Sequence, residues 1–511
     1  MSKFLNALED ATNFGYTENG GLTHRTTKSR LLDMFAFGAA MRKRSDEDVL
    51  DLWRDAFAED PTYALKCLFY IRDVRGGQGE RRFFRVCMKD LASHNIEAAR
   101  RNLRLIPEYG RWDDLYVFVG TPLEDEMFTF MKEQLVLDLE CKTPSLLAKW
   151  MKSENTSSKE SRELANITRQ HLNMNHKEYR KVLSTLRERI NVLERLMSAN
   201  EWEKIEFDKI PSKAGLKYKN AFARRDVERV KAGKVTYKDF IEDENTTVNA
   251  DTLYPYEVVS EVVNNTSYWR APEDTMDATQ RAAINKYWDN LKDYFNGATF
   301  NGMAIVDTSG SMVSSDADAP INVAISIGMY CAERAKGPFA GHYISFASRP
   351  QLIEIKGKDF CDKVRRIYRT NLCDNTNIEA VFDLVLKTAV SNKLAQEDLP
   401  ENLIIISDME FDEATGNGWH YGASDYDDYF GLADTVMETA EKKFNAKGYQ
   451  MPKLIFWNVN ARHDNIPMKD NGRVSFVSGM SPSIFDSVMT GKTGYDLMMD
   501  KLDSPRYSAI G

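Results

Sequence analysis

Seven histidines are scattered over 511 residues, and none falls in an H-E-x-x-H pair, so no zinc-hydrolase signature is present. The six cysteines, Cys67, Cys87, Cys141, Cys331, Cys361 and Cys373, stand far apart with no C-x-x-C among them. They read as reduced thiols rather than a disulfide framework or a structural metal site. No run of 18 uncharged apolar residues occurs, which excludes a membrane-spanning helix. The opening MSKFLNALEDATNFGY places an acidic pair where a signal peptide needs an apolar stretch. The expectation is a cytoplasmic protein with no membrane partner.

Hydrophobic residues make up 42% of the chain and charged residues 28%, an ordinary globular balance with length enough for two to four domains. The net charge of −9 conceals a division. Residues 1–300 carry 47 basic and 48 acidic residues, whereas residues 301–511 carry 21 and 29. Within the first part, residues 151–240 hold 21 basic against 13 acidic residues, and residues 81–104 hold seven against two. Basic segments inside an acidic protein point to a polyanionic partner more than the total charge does.

Residues 1–297 read as helices. Ser45 opens an S-x-x-D cap before the apolar stripe Val49, Leu50, Trp53, Ala56 and Phe57. Asp60-Pro61, Thr121-Pro122 and Thr143-Pro144 each set a capping residue before a proline. From Tyr179 to Met197 apolar residues recur three and four apart for five turns. Many short amphipathic helices imply a bundle or a stacked-pair solenoid, although no internal repeat of 34 or 40 residues is evident. From residue 298 to 511 short apolar runs alternate with amphipathic helices: GMAIVD (302–307), HYISF (342–346), NLIIIS (402–407), KLIFWNV (453–459) and VSFVSG (474–479). That alternation predicts a doubly wound α/β domain with a parallel sheet.

Directly after the first of these strands comes Asp307-Thr308-Ser309-Gly310-Ser311. Ligands of open parallel sheets bind at the carboxyl ends of strands. A D-x-S-x-S loop there offers one carboxylate and two hydroxyls, hard oxygens suited to Mg²⁺ or another divalent cation. The alternative is a plain turn with a helix cap. Asp408 follows NLIIIS at the same edge, and Thr376 precedes a helix start, with Asn375 or Asn377 as alternatives to it. The set resembles the metal-ion-dependent adhesion site of von Willebrand factor type A domains: Asp307, Ser309 and Ser311 match its first motif, and Thr376 and Asp408 its second and third positions. The resemblance implies an ion with a free position for an acidic group of a protein partner, a binding device with no catalytic residue. A metal-dependent hydrolase is the weaker reading, raised by Glu410 and Asp412 beside the site. TGKTG (490–494) is not a phosphate loop, because Asp486 stands where its first glycine belongs. The loop 416–430, rich in glycine, aromatics and acids, is a contact loop or a solvated insertion.

In the helical half, RDVRGGQGERRFFR (72–85) breaks one helix with three glycines and surrounds the turn with Arg75, Arg81, Arg82 and Arg85. It suits a phosphate contact. The alternative is an interhelical turn with Arg72 and Arg75 paired to Asp73 or Glu80. A second basic stretch includes Lys213, Lys217, Lys219, Arg224 and Arg225 with Tyr218 and Phe222 interleaved, a mixture that suits single-stranded nucleic acid or, more plainly, a solvated helix face.

The chain as a whole resembles the TROVE proteins, the Ro ribonucleoprotein family, and most closely a sister family of plants, fungi and large viruses. The resemblance rests on RDVRGGQGER (72–81), PEYGRWDDL (107–115), YRKVLSTLRERINVLE (179–194), LYPYEVV (253–259), DTSGSM (307–312), SDMEFDEA (407–414), PKLIFWN (452–458) and VSGMS (477–481). It implies a HEAT-like helical solenoid or ring over residues 1–297 and a von Willebrand factor A-like domain over 298–511. It also implies binding of small non-coding or misfolded RNA. The alternative is a metal-dependent protein-interaction scaffold that binds no RNA.

Overall fold

The switch in hydrophobic period near residue 300 is a switch from helix to strand. The computed structural model describes residues 4, 8–9, 12–263, 275–314, 316, 318–346, 349–370, 377–412 and 435–511. Two units interleave along the chain. A helical unit comprises Leu68–Thr252, Asp277–Asn290 and Tyr507–Gly511, and a sheet unit comprises Met1–Cys67, Leu253–Met276 and Leu291–Arg506.

Among its described residues the helical unit contains no strand. Its helices include α1 (Arg82–His94), Ile96–Leu103, Glu124–Glu140, Lys159–His171, His176–Arg189, α2 (Ser212–Arg224) and Ala278–Asp289. Neighbours in sequence pack together, α1 on Ile96–Leu103 and Glu124–Glu140 on Lys159–His171, whereas α2 packs on Ala278–Asp289. The five-turn helix expected over 179–197 is instead two helices, His176–Arg189 and Leu193–Ser198. Asn191 between them adopts φ +48°, a left-handed conformation that asparagine tolerates and that ends a helix. Thr121-Pro122 and Thr143-Pro144 lie ahead of their helices, which start at Glu124 and Leu147. The chain end is tied in: Tyr507 stacks on Tyr109 at 5.8 Å and donates its hydroxyl to Asp73 Oδ2 at 3.1 Å.

The sheet unit begins with an antiparallel hairpin that periodicity did not reveal, β1 (Phe14–Tyr16) and β2 (Leu22–His24). Three-residue strands are too short to show an alternating pattern. The main sheet holds β3 (Gly302–Asp307), β4 (His342–Phe346), β5 (Gln351–Glu354), β6 (Asn402–Ser407), β7 (Lys453–Asn458) and β8 (Val474–Ser478), in the order β5-β4-β3-β6-β7-β8. All pairings are parallel except β4 with β5, so the sheet is mixed with one antiparallel edge strand. The apolar runs are near-continuous because these strands are buried on both faces. Helix α3 (Pro320–Arg334) packs on β3, β4 and β6 and against the helix Pro255–Val263. Gly328 permits that approach: a Cβ there would lie 2.4 Å from Val306 Cγ2 on β3. The chain leaves β3 for β4 on one side and returns to β6 on the other. The loops after β3 and β6 therefore diverge and open a crevice at the carboxyl edge, where open sheets hold ligands.

The divalent-cation candidate at the sheet switch point

Asp307 ends β3 and Asp408 follows β6, so the parallel pairing of those strands brings both carboxylates to one edge. Both side chains are buried. Asp307 Oδ1 accepts from the Ser309 backbone N–H at 2.9 Å, and Asp307 Oδ2 accepts from Ser407 Oγ at 2.5 Å. Ser311 sits on the single turn Gly310–Met312, which brings its hydroxyl to 3.1 Å from Ser309 Oγ and within hydrogen-bonding reach of Asp408. The loop thus gathers Asp307, Ser309, Ser311 and Asp408 in one place.

The electrostatics are those of anions held out of water. Burial, reinforced by the Asp408 charge, pushes Asp307 up to about 7. Burial also raises Asp408, with Glu410 adding to the shift and Arg462 opposing it. Among the described residues Asp408 Oδ2 is buried without a hydrogen-bond partner. Arg462 Nη2 lies 3.3 Å from that oxygen, an ion-pair distance without hydrogen-bond geometry, while Arg462 Nη1 lies 2.7 Å from Glu18 Oε2. Two coupled carboxylates, two hydroxyls and a buried orphan oxygen form an all-oxygen set that a hard divalent cation fits. Among the described residues no three His, Cys, Asp or Glu side chains converge on one point.

Thr376 and Asn375 lie outside the described residues, as does the loop 416–430. Asn377 is committed elsewhere, its Oδ1 accepting from the Ala380 backbone N–H at 2.9 Å to cap the helix Glu379–Asn392. Glu410 points to a second constellation. Its Oε1 accepts from Asn465 Nδ2 at 3.0 Å and lies 2.9 Å from His463 Nδ1, and its Oε2 accepts from the Glu18 backbone N–H at 2.8 Å. Gly21 lets the β1–β2 turn lie against this segment, since a Cβ there would come 2.6 Å from Phe411 O. Arg462, His463 and Asn465 were not singled out from the sequence. The signal was available: they follow β7, which is parallel to β6 and must deliver its loop to the same edge.

The nine basic candidates separate into different settings. Lys213, Lys217 and Arg224 are exposed on α2. Lys219 is buried and donates to Leu216 O at 3.2 Å, and Arg225 pairs with Glu228 at 2.9 Å. Around the glycine turn, Arg75 donates to Glu108 O, Arg82 is half-buried, Arg81 is exposed and Arg85 pairs with Asp114 at 2.7 Å. Arg72 pairs with Asp114 at 2.6 Å, not with Asp73 or Glu80. The turn itself is structural: a Cβ on Gly77 would lie 1.9 Å from Tyr70 O, so glycine is required by chain packing. No helix among the described residues is long and apolar enough to cross a membrane.

Residues 301–503 match the family described as Domain of unknown function (DUF7788), and residues 17–178 and 145–296 match that described as Domain of unknown function (DUF2828). The mimivirus protein "Uncharacterized protein L728" of Acanthamoeba polyphaga mimivirus is 28% identical over 521 residues, covering 94% of this chain and 85% of that protein. The crystal structure of the Deinococcus radiodurans Ro (RSR) protein superposes on 91% of this chain and 100% of that one, with a TM-score of 0.46 and 13% identity. The two matched segments together cover residues 17–296, more than half of the chain, and the protein belongs to the family described as Domain of unknown function (DUF2828).

Proposed function

We propose that the protein binds RNA through cations of its helical unit and holds a divalent cation at the switch point of its sheet unit. The RNA reading is carried by α2. Lys213, Lys217 and Arg224 are exposed, and spacings of four and seven residues set them on one side of that helix. Exposed Lys231 and Lys234 follow. Lys217 Nζ lies 5.1 Å from the Tyr218 ring, so charge and a flat ring occur together, as a strand of phosphates and bases requires. The motif resemblance to the Ro family supports the same reading, with the helical unit taken as a HEAT-like stack and the ligand as small non-coding or misfolded RNA.

Asp307, Ser309, Ser311 and Asp408 would hold Mg²⁺ or another divalent cation, with Thr376 the further ligand that the motif adds. Such an ion supplies a Lewis-acidic position for an acidic group of a partner. The protein's own part is binding and positioning rather than catalysis. Replacing Lys213, Lys217 and Arg224 by Glu tests the RNA reading in a fluorescence-anisotropy titration with structured and single-stranded RNA. Affinity should fall, and the salt dependence should flatten by roughly 0.7 in log–log slope for each lost single-strand phosphate contact. Unchanged affinity, or no RNA binding by the unaltered protein, would leave a metal-dependent protein scaffold in its place.

A further inference from the structure

Three separate segments of the helical unit bring their cations to one pair of aspartates. Arg81 and Arg85 come from the start of α1, Arg111 follows Gly110, and Lys152 follows the short helix Leu147–Trp150. Arg72 is fully used: its Nε and Nη2 both donate to Asp114 Oδ2, at 2.9 and 2.6 Å, and it is buried. Arg85 Nε donates to Asp114 Oδ1 at 2.7 Å. Arg111 Nη2 donates to Asp113 Oδ2 at 3.1 Å, and Lys152 Nζ stands 3.8 Å from the same oxygen. Arg81 is exposed and feels the charges of Asp113 and Asp114 without an ion-pair contact to either among the described residues.

Two carboxylates thus pair with four cations, Arg72, Arg85, Arg111 and Lys152, and Arg81 adds a fifth positive charge beside them. Arg72 and the two aspartates are buried while Arg85, Arg111 and Lys152 are partly exposed, and like charges gathered at a partly desolvated rim repel. The hydrogen-bond geometry of the cluster is also imperfect on both sides, since the acceptor Asp113 Oδ1 is buried without a hydrogen-bond partner among the described residues. Among the described residues Arg85 Nη2 and Arg111 Nε are buried and make no hydrogen bond of good geometry, although Arg85 Nη2 lies 2.7 Å from Asp114 Oδ1 and 3.1 Å from Asp113 Oδ2, and Arg111 Nε lies 3.0 Å from Asp113 Oδ1. Arg111 is held flat by the Trp150 ring, 4.0 Å from its guanidinium carbon. Partial burial pushes the Arg81 and Arg111 guanidiniums down, neighbouring arginines deepen both shifts, and Asp113 and Asp114 oppose them.

We propose that Arg81, Arg85, Arg111 and Lys152 form a phosphoryl-binding site, completed by an oxyanion that supplies the missing negative charge. A phosphate monoester carries up to two charges and three acceptor oxygens, and planar guanidinium groups bind it in bidentate fashion. Asp113 and Asp114 act as the scaffold that holds the arginines apart. The phosphoryl group is free phosphate or the end of a nucleic-acid strand, and the site stands independently of the α2 row.

The test uses the full chain, inorganic phosphate, and one oligoribonucleotide made with a 5′-phosphate or a 5′-hydroxyl. Thermal unfolding is followed in phosphate and in chloride of equal ionic strength. Phosphate should raise the midpoint of the unaltered protein. Arg81→Gln should unfold no earlier than it in chloride, because a repelling charge is gone, and should bind phosphate roughly tenfold or more weakly by calorimetry. Tighter binding of the 5′-phosphorylated strand, competed by phosphate, identifies a strand end, whereas binding of inorganic phosphate alone identifies free phosphate. Lys152→Gln gives a second reading with the same expectation. Equal phosphate binding by Arg81→Gln and the unaltered protein would overturn the site, as would a lower midpoint of Arg81→Gln in chloride. Phosphate binding retained without any RNA binding would remove the RNA reading and leave this site standing.

Discussion

Ser407 and Asp307 lie 100 residues apart in the chain, yet Ser407 Oγ donates to Asp307 Oδ2 at 2.5 Å. The bond joins the ends of β3 and β6 and satisfies one oxygen of a buried carboxylate; Ser407 in turn accepts from the Met409 backbone N–H at 3.0 Å. Ser407→Ala leaves both groups wanting. It should destabilise the metal-free protein by about 1.5–3 kcal/mol, the usual range for a hydrogen bond to a charged group. Saturating Mg²⁺ should shrink that deficit, because the ion supplies positive charge to the same carboxylate. Chemical denaturation in chelator and in Mg²⁺ measures both; an equal deficit in the two conditions would separate Ser407 from the cation site.

Asp307 and Asp408 repel each other in a buried setting. Asp307→Asn should therefore raise the unfolding midpoint in chelator while abolishing the midpoint rise that Mg²⁺ or Mn²⁺ gives the unaltered protein. Asp307→Ala with Ser309→Ala should remove the calorimetric heat of divalent binding. Unchanged titration heats in that double variant would contradict the assignment.

Asp114 behaves oppositely. Despite its burial, Arg72 and Arg85 hold its carboxyl below the usual value of 3.8. A depressed acid stabilises the fold above its unfolded-state value, and the contribution is lost as pH falls through the folded one. Asp114→Asn should cost about 3–5 kcal/mol at neutral pH, since it leaves the buried Arg72 uncompensated. The gap from the unaltered protein should narrow only below about pH 4. Urea unfolding across pH 3–7 checks this, and a gap independent of pH would count against the ion pairs as its source.

Two glycines make a contrasting pair. Gly77→Ala forces a Cβ onto the Tyr70 carbonyl and should destabilise by at least about 1–3 kcal/mol. Gly310 has open space around it, so Gly310→Ala should leave stability nearly unchanged although it sits between the two candidate serine ligands. Parallel melts of the two variants decide the matter.

Much of the sheet unit was legible because buried parallel strands write continuous apolar runs: GMAIVD, HYISF and NLIIIS are β3, β4 and β6 as read. The strand-end rule then located Asp307 and Asp408. It was not applied to β7, which is why Arg462 and His463 were missed. β5 was illegible for another reason, as an exposed edge strand of four residues with one buried position. The basic residues of the helical half were visible as a composition, but their fates were not. Lys219 and Lys217 are two positions apart on α2, and one is buried while the other is exposed. Arg111 and Lys152 gave no sign, because their shared partner Asp113 is reached only through tertiary packing.

The most direct test of the RNA reading is the absorbance ratio at 260 and 280 nm of the intact protein purified at low salt, with nuclease treatment and sizing of whatever is bound. Co-purifying RNA, released by high salt and retained poorly when Lys213, Lys217 and Arg224 are replaced by Glu, is the expected result. Protein free of nucleic acid, which then binds neither structured nor single-stranded RNA in direct titration, would contradict it.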